Sequence, residues 1–439
     1  MELARLLNGI FVALVAGAVL VAAFAGTMPA ANDAAITAAK SAVEITIGLV
    51  GVMALWLGFM RVLREAGFMR SIARALEPVL IRLFPDVPPD HPAMGAIVMN
   101  LAANVLGLGN AATPFGLKAM RELETLNPRP GVATNAMALF LAINTSGLAV
   151  LPLGAIALRA SLGSANPAGI IVPSLIASIC ATLVAIAAAK LLERLPLFAP
   201  ERAARLNARS PVEARPVDLA ALDVAERMVS SVAPLTRPRA VLLVLFALAL
   251  AAAVARALVA EPSFETAKTL LSSWLLPALM AAIALAGFGR RISVYDAFIA
   301  GAREGLGIAV TVLPFMLAIL VAVALFRASG ALDVLTNAVA PVTALVGFPA
   351  EALPMALIRP LSGSGALAVM TETMQHSGAD SFVGFLVCVI NGSSETTFYV
   401  LALYLGSVGA RASRHTVLAC LAADVAGVAG ALVASRMFF

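Results

Sequence analysis

Nine apolar runs succeed one another along the chain, at 8–27, 41–60, 132–158, 169–190, 240–259, 269–287, 304–326, 382–406 and 416–436. Each approaches or exceeds the ~20 residues a helix needs to cross a bilayer. No soluble core could bury them all. Of 439 residues, 61% are hydrophobic and 13% charged, against about 45–50% and about 25% in a soluble domain. The pattern predicts an all-α polytopic membrane protein with about nine spanning helices, and excludes a soluble enzyme or a disulfide scaffold. The net charge of +5 is what Arg- and Lys-rich cytoplasmic loops give such chains, so no nucleic-acid partner is expected. Cys180, Cys388 and Cys420 lie unpaired in apolar runs and read as small buried hydrophobes, not as metal ligands. Residues 1–26 lack a basic start and a clean cleavage site, which predicts a retained helix.

Two further apolar stretches, 94–120 and 352–373, carry Gly, Pro, Ser or Asn at their centres. Irregular backbone at membrane depth is tolerated only against protein or a wet cavity, so both are expected to be broken or re-entrant hairpins. Residues 191–239 hold eight Arg, six acids and six Pro and read as a cytoplasmic linker. The expected organisation is a first repeat over 1–190, the linker 191–239, a connecting transmembrane helix 240–259, and a second repeat over 260–439.

The repeats are visible as ordered matches. LREAGFMRSIARALEPVLIRLFP (63–85) aligns with LFRASGALDVLTNAVAPVTALVGFP (325–349), placing Gly67 on Gly330 and Pro78 on Pro341. Gly107-Leu108-Gly109-Asn110 matches Gly363-Ser364-Gly365-Ala366, and ALFLAINTS (138–146) matches GFLVCVINGS (384–393), with Asn144 on Asn391. Basic residues fall oppositely in equivalent loops. Arg61, Arg64, Arg70, Arg74 and Arg82 face a counterpart holding only Arg327, whereas Arg411 and Arg414 face 161–168, which has no Arg or Lys. The halves are therefore expected to be inverted, with the helix 240–259 supplying the odd crossing, the N-terminus cytoplasmic and the C-terminus outside. Inverted repeats with discontinuous helices are the architecture of secondary transporters. Residues 61–83, with Arg on one side and apolar residues on the other, are expected to lie in the interface.

Intramembrane ionisable groups cost about 2.5–3.5 kcal/mol each on insertion scales, so polar clusters inside the spans single out candidate residues. The first cluster holds Asn100 and Asn104, one helical turn apart, then Asn110 and Thr113 after a Gly break. The alternative is that these Asn lock helices together. The second is Arg359-Pro360 followed by Ser362 and Ser364 between glycines. A guanidinium here can hold a carboxylate or phosphate in a fork, or simply pair with Glu304, Glu395 or Asp424. The third puts Asn391, Ser393, Ser394, Glu395, Thr396 and Thr397 in seven positions, with Asn144, Thr145 and Ser146 as the first-half equivalent. Glu44, Glu304, Glu395 and Asp424 are candidates for ion coupling to H⁺ or Na⁺; Glu44 and Glu304 could instead cap helices.

At these motifs the chain resembles a known family. MNLAANVLGLGNAATPFGLKAM resembles spore maturation protein A, and LPMALIRPLSGSGAL with INGSSETTFYVLALYLGSVG resembles spore maturation protein B, over about residues 1–196 and 268–439. Both belong to the nucleoside-recognition Gate families, with related segments in concentrative nucleoside transporters and ferrous-iron transporter B. The resemblance implies two Gate repeats forming a transport unit of a bacterial inner membrane. An iron role lacks support, since His91, His376 and His415 lie in or beside loops.

The expected function is a secondary transporter of a small, carboxylate-bearing organic solute, not an enzyme. Its partners are that solute and membrane lipids, with homo-oligomerisation open, no nucleic acid and no cofactor beyond a coupling ion. The competing readings are a non-transporting scaffold for envelope or spore-cortex maturation, nucleoside or metal-ion transport, and an intramembrane hydrolase using Ser364. The last lacks a base and a GxSxG elbow.

Overall fold

The computed structural model of the chain describes residues 2–107, 109–200, 237–263, 266, 269–270 and 274–439. The linker expected at 191–239 thus falls mostly outside the described residues. Those described fold into helices: α1 (Glu2–Ala25), α2 (Met28–Glu65), α3 (Phe68–Leu83), α4 (Pro92–Val105), α5 (Gly109–Thr125), α6 (Asn135–Thr145), α7 (Leu153–Ser161), α8 (Ile171–Leu192), α9 (Arg237–Ala260), α10 (Leu275–Gly289), α11 (Val294–Ala328), α12 (Ala331–Ala344), α13 (Leu353–Ile358), α14 (Gly363–Ser377), α15 (Phe382–Gly392), α16 (Thr397–Ser407) and α17 (Thr416–Phe438). The protein is all-helical and multi-pass. Among the described residues, Met28–Glu65, Pro167–Leu192, Val241–Ala260, Phe382–Ser407 and Thr416–Phe438 are long and apolar enough to cross a membrane.

The two stretches 94–120 and 352–373 are interrupted as expected, at the α4–α5 and α13–α14 junctions. Two of the runs expected to be continuous are not. The stretch 132–158 is α6 and α7 with a break over 146–152, and 382–406 is α15 and α16 with a break over Ser393–Thr396. A hydropathy window cannot see either break, because apolar residues flank both and each break's freed backbone groups find partners in another segment. The expected interfacial stretch 61–83 is also divided: residues 61–65 finish α2, and Gly67, with φ +69, turns the chain into α3. Its sequence match Gly330 has φ +84 and turns α11 into α12 in the same way. Both positions require a left-handed backbone, which a residue with a Cβ resists.

Sequence-equivalent helices pack on each other. α2 packs along α11, and α8 along α17. Both pairs run antiparallel. On α2 and α11, a Cβ at Gly58 would come within 2.6 Å of the Phe298 ring, and one at Gly305 within 2.8 Å of Ala54. A Cβ at Gly301, between them, would collide with the Leu57 carbonyl. On α8 and α17, Gly430 faces Ala177 and Gly427 faces Ala181. Small residues let membrane helices approach backbone to backbone, where dispersion and weak hydrogen bonds replace the missing hydrophobic drive.

Two loop seams tie the halves at their ends. The amides of Arg411 and Ala412 donate to the Gly131 carbonyl at 2.9 and 3.2 Å, and Ala133 donates to Ala412 at 2.9 Å. In the other seam, Asp380 accepts from the Ala165 amide at 2.7 Å and the Arg159 guanidinium at 2.8 Å. Arg159 is 2% exposed and also donates to the carbonyls of Ala379 (2.6 Å) and Asn166 (3.3 Å). Beside Ser164, the Ala165 amide and Arg159, the Asp380 carboxyl is held below its ordinary range, although partial burial works the other way.

Candidate functional site

The four helix breaks meet. Val150 donates to the Val105 carbonyl at 2.9 Å, the Glu395 amide to the Thr145 carbonyl at 2.9 Å, and the Phe398 amide to the Pro360 carbonyl at 3.0 Å. Gly147, in the left-handed region, lies against the Ser394 backbone so closely that a Cβ would come within 2.6 Å of it. In hydrocarbon an unsatisfied amide or carbonyl costs several kcal/mol; here each interruption supplies partners for another.

Around this crossing is a cavity of about 530 Å³, within the range of small-molecule sites. It gathers polar residues from all four interrupted pairs: Asn104 and Thr113 from α4 and α5, Asn144 from α6, Ser362 and Ser364 at the start of α14, and Glu395 and Thr396 in the α15–α16 break. Asn104 donates to the Asn144 side chain at 2.9 Å, and Asn144 donates to the Phe140 carbonyl at 2.8 Å. Behind them Asn100 is fully buried and spends its amide on the Ala112 carbonyl at 2.8 Å, so it braces α4 against α5 from outside the lining. Ser362 caps α14, accepting from the Gly365 amide at 3.0 Å.

Arg359 ends α13 beside the cavity and is 9% exposed. Its guanidinium donates to the Ser394 carbonyl and lies 3.8 Å from the Glu395 carboxylate, while its Nε has no partner. Glu395, half exposed, is the one charged side chain lining the space. Two residues further, Thr397 donates to the buried carboxylate of Asp424, whose oxygens lie 3.0 and 2.8 Å away. Arg359 thus stands between two acids.

Other candidates fall elsewhere. Thr145 and Ser146 are fully buried and bond to the carbonyls of Ala142 and Ile143, Ser146 also meeting Thr182 at 2.8 Å. Ser393 turns back to the Ile390 carbonyl at 3.0 Å. Ser394 contributes its carbonyl to Arg359, and Asn391, half-buried, is not in the lining. The side chain of Asn110 lies outside those described. Glu304 is ion-paired with Arg61 and Arg64, eleven residues from the cavity residue Phe315, which is about 16 Å along α11. Glu44 is exposed on α2. His376 is twelve residues beyond Ser364, about 18 Å along α14, so no imidazole stands beside that hydroxyl.

The aromatic part of the lining, Phe315, Tyr399 and Tyr404, went unseen in the sequence, where an aromatic ring in an apolar run resembles a lipid-facing one. Tyr404 stacks on Phe140 with centroids 6.0 Å apart and reaches Asn100 at 3.5 Å. The missed Arg159 did leave a signal: it is the one basic residue between 132 and 189.

Helices broken at their centres around a polar cavity, inside a multi-pass bundle, define a membrane protein with a solute-sized site between two halves. The sequence pattern of the Gate family, described as "Nucleoside recognition", matches residues 46–164 and 309–411, just over half of the chain. These two segments contain all four breaks. The chain belongs to the Gate family. It is 41% identical to spore maturation protein A of Bacillus subtilis (strain 168) over 181 residues, 41% of this chain and 92% of that protein. It is 38% identical to spore maturation protein B of the same organism over 169 residues, 38% of this chain and 95% of that protein. One chain thus carries counterparts of two proteins that are separate there. No solved structure matches it.

Proposed function

We propose that the chain is a secondary transporter of a small carboxylate-bearing organic solute across a bacterial inner membrane, with the N-terminus cytoplasmic and the C-terminus outside. One observation carries this reading: seven polar side chains from four separate interruptions line one cavity beside the near-buried Arg359. The antiparallel crossing of equivalent helices supports an inverted repeat, the arrangement on which alternating access is built. A solute carboxylate would take the place of Glu395 on Arg359, forming the fork that the 3.8 Å contact with Glu395 leaves unfilled. Asn104, Asn144, Ser362 and Thr396 would take its hydroxyl or amino groups, and the tyrosines its carbon frame. Release of Glu395, with Asp424 nearby, gives the bound state a way to take up H⁺ or Na⁺. No bond-making chemistry is assigned to the site.

The test is exchange of labelled carboxylates and, given the family's description, nucleosides by purified protein in liposomes. Arg359→Ala and Glu395→Gln are each expected to lower carboxylate flux at least tenfold; unchanged flux in both sinks the assignment. The names of the two relatives favour a second reading, a scaffold in envelope maturation. It predicts that cellular function survives Ala substitution of the cavity residues but not deletion of residues 201–236.

A further inference from the structure

Away from the cavity, the turn between α2 and α3 meets the turn between α10 and α11, where a Cβ at Gly287 would come within 2.8 Å of Val62. Arg290, which ends α10, donates to Ser71 on α3 at 3.4 Å and lies over the Phe68 ring, 5.6 Å from its centroid. Arg74, three residues beyond Ser71 and so on the same face of α3, is exposed, and its charge acts on Arg290. Partial burial and this like charge both press the Arg290 pKa down. Two guanidinium groups brought together repel unless something anionic joins them.

No acid of the described residues does so. Glu65 is committed to Arg61, and Glu304 to Arg61 and Arg64. Glu77 on α3 makes no ion pair with either arginine. Arg70 and Arg291, the chain neighbours of Ser71 and Arg290, add further positive charge, and Arg239 covers Phe288, 4.8 Å from its ring centroid. The corner is flanked by apolar surface, with Phe288 51% and Tyr295 75% exposed. The repeat-related corner differs: there Arg327 holds Glu372 in a two-point pair, and the charge is cancelled.

We propose that Arg74 and Arg290 form a site for the phosphate of an anionic phospholipid head group, with its acyl chains against Phe288 and Tyr295. A pair of guanidinium forks matches the oxygens of one phosphate, and basic pockets beside membrane helices are where anionic lipids settle. The site is separate from the solute cavity and does not depend on the transport reading.

The test titrates phosphatidylglycerol into phosphatidylcholine nanodiscs holding the full chain, reading thermal stability and, by native mass spectrometry, retained lipid. Wild-type protein is expected to gain stability and keep phosphatidylglycerol. Arg74→Gln, at an exposed position where folding is not at stake, should weaken retention about fivefold, and Arg74→Gln with Arg290→Gln about 25-fold, following the contribution of each basic residue near an anionic surface. Arg82→Gln, the same charge loss at the far end of α3, should leave it unchanged. Undiminished retention in Arg74→Gln overturns the proposal. So does equal loss in Arg82→Gln, which would mean a diffuse surface field. Equal stabilisation by inorganic phosphate in pure phosphatidylcholine discs would assign the site to a soluble anion and overturn the lipid assignment.

Discussion

Asp424 is a carboxylate inside a membrane helix whose hydrogen-bond partner among the described residues is a single hydroxyl, that of Thr397. Removing that donor leaves the buried acid without a hydrogen bond, with only the charge of Arg359 near it, which costs ~1–3 kcal/mol or more for a charged group. Removing acid and donor together leaves nothing to satisfy. Thermal unfolding should therefore show Thr397→Val strongly destabilising and the double variant with Asp424→Leu less so than the sum of the singles, a coupling that additive, independent sites would not give. His415 offers a second residue-scale case. It is fully buried before α17, both ring nitrogens lack partners, and burial, then Arg414 and Lys190, lower its pKa to about 4. The unfolded imidazole takes a proton below about pH 6.5, the folded one below about 4. Stability is thus complete above the upper value and declines as pH falls between the two, by of the order of 3 kcal/mol. His415→Phe should flatten that slope in a pH series of unfolding midpoints; an unchanged slope would remove His415 as its cause.

At the scale of elements, the crossing of α2 and α11 depends on the absence of side chains at Gly301 and Gly305. A leucine at 301 must push apart backbones that now touch, since the Leu57 carbonyl occupies the space. Gly301→Leu is expected to cost at least the ~1–3 kcal/mol of an overpacked core, and Gly307→Leu, at a position where a Cβ meets nothing within 4 Å, almost nothing. Comparable losses in melting temperature would refute the close crossing. Much of this level was legible in the sequence. The interruptions at 94–120 and 352–373 announce themselves by Gly, Pro and Asn in apolar runs, and the matched Gly67 and Gly330 share one backbone conformation. The breaks at 146–152 and 393–396 were hidden, although the polar run 391–397 marked the place, because what opens those helices is the other break across the bundle. The candidate residues divided on the same physical ground. Asn104, Asn144 and Glu395 reach the cavity, while Thr145, Ser146 and Ser393, equally polar and adjacent, fold back onto carbonyls of their own helices. Sequence gives the polarity of such residues but not the side of the helix on which the cavity opens.

Over the whole molecule, neither half can make the site alone. Asn104, Thr113 and Asn144 come from before the linker, and Ser362, Glu395 and Thr396 from after it. The symmetry is also incomplete in chemistry. With Asn144 matched to Asn391, the counterpart of Glu395 is Leu148, so the repeat-related position across the bundle carries no acid and the molecule holds one such site. Apart from the linker, what holds the halves together is non-covalent: the α2–α11 and α8–α17 crossings, the two loop seams, and the hydrogen bonds between breaks. Two relatives that are separate chains, each matched over more than nine-tenths of its length, fit that division. Cutting within 201–236 should then be tolerated. Co-expressed fragments 1–200 and 237–439 are expected to co-purify at equal stoichiometry through detergent extraction and to melt in one transition, because the surfaces that close the cavity are those that bind the halves. Replacing Arg159 by Met opens one seam by orphaning the carbonyls of Ala379 and Asn166 and removing the cation from Asp380, which keeps Ser164 and the Ala165 amide, and should weaken the split complex more visibly than the fused chain, whose linker holds the halves at high effective concentration. Fragments that fail to co-purify, or a split complex indifferent to Arg159, would show that the linker itself, and not these contacts, holds the two halves together.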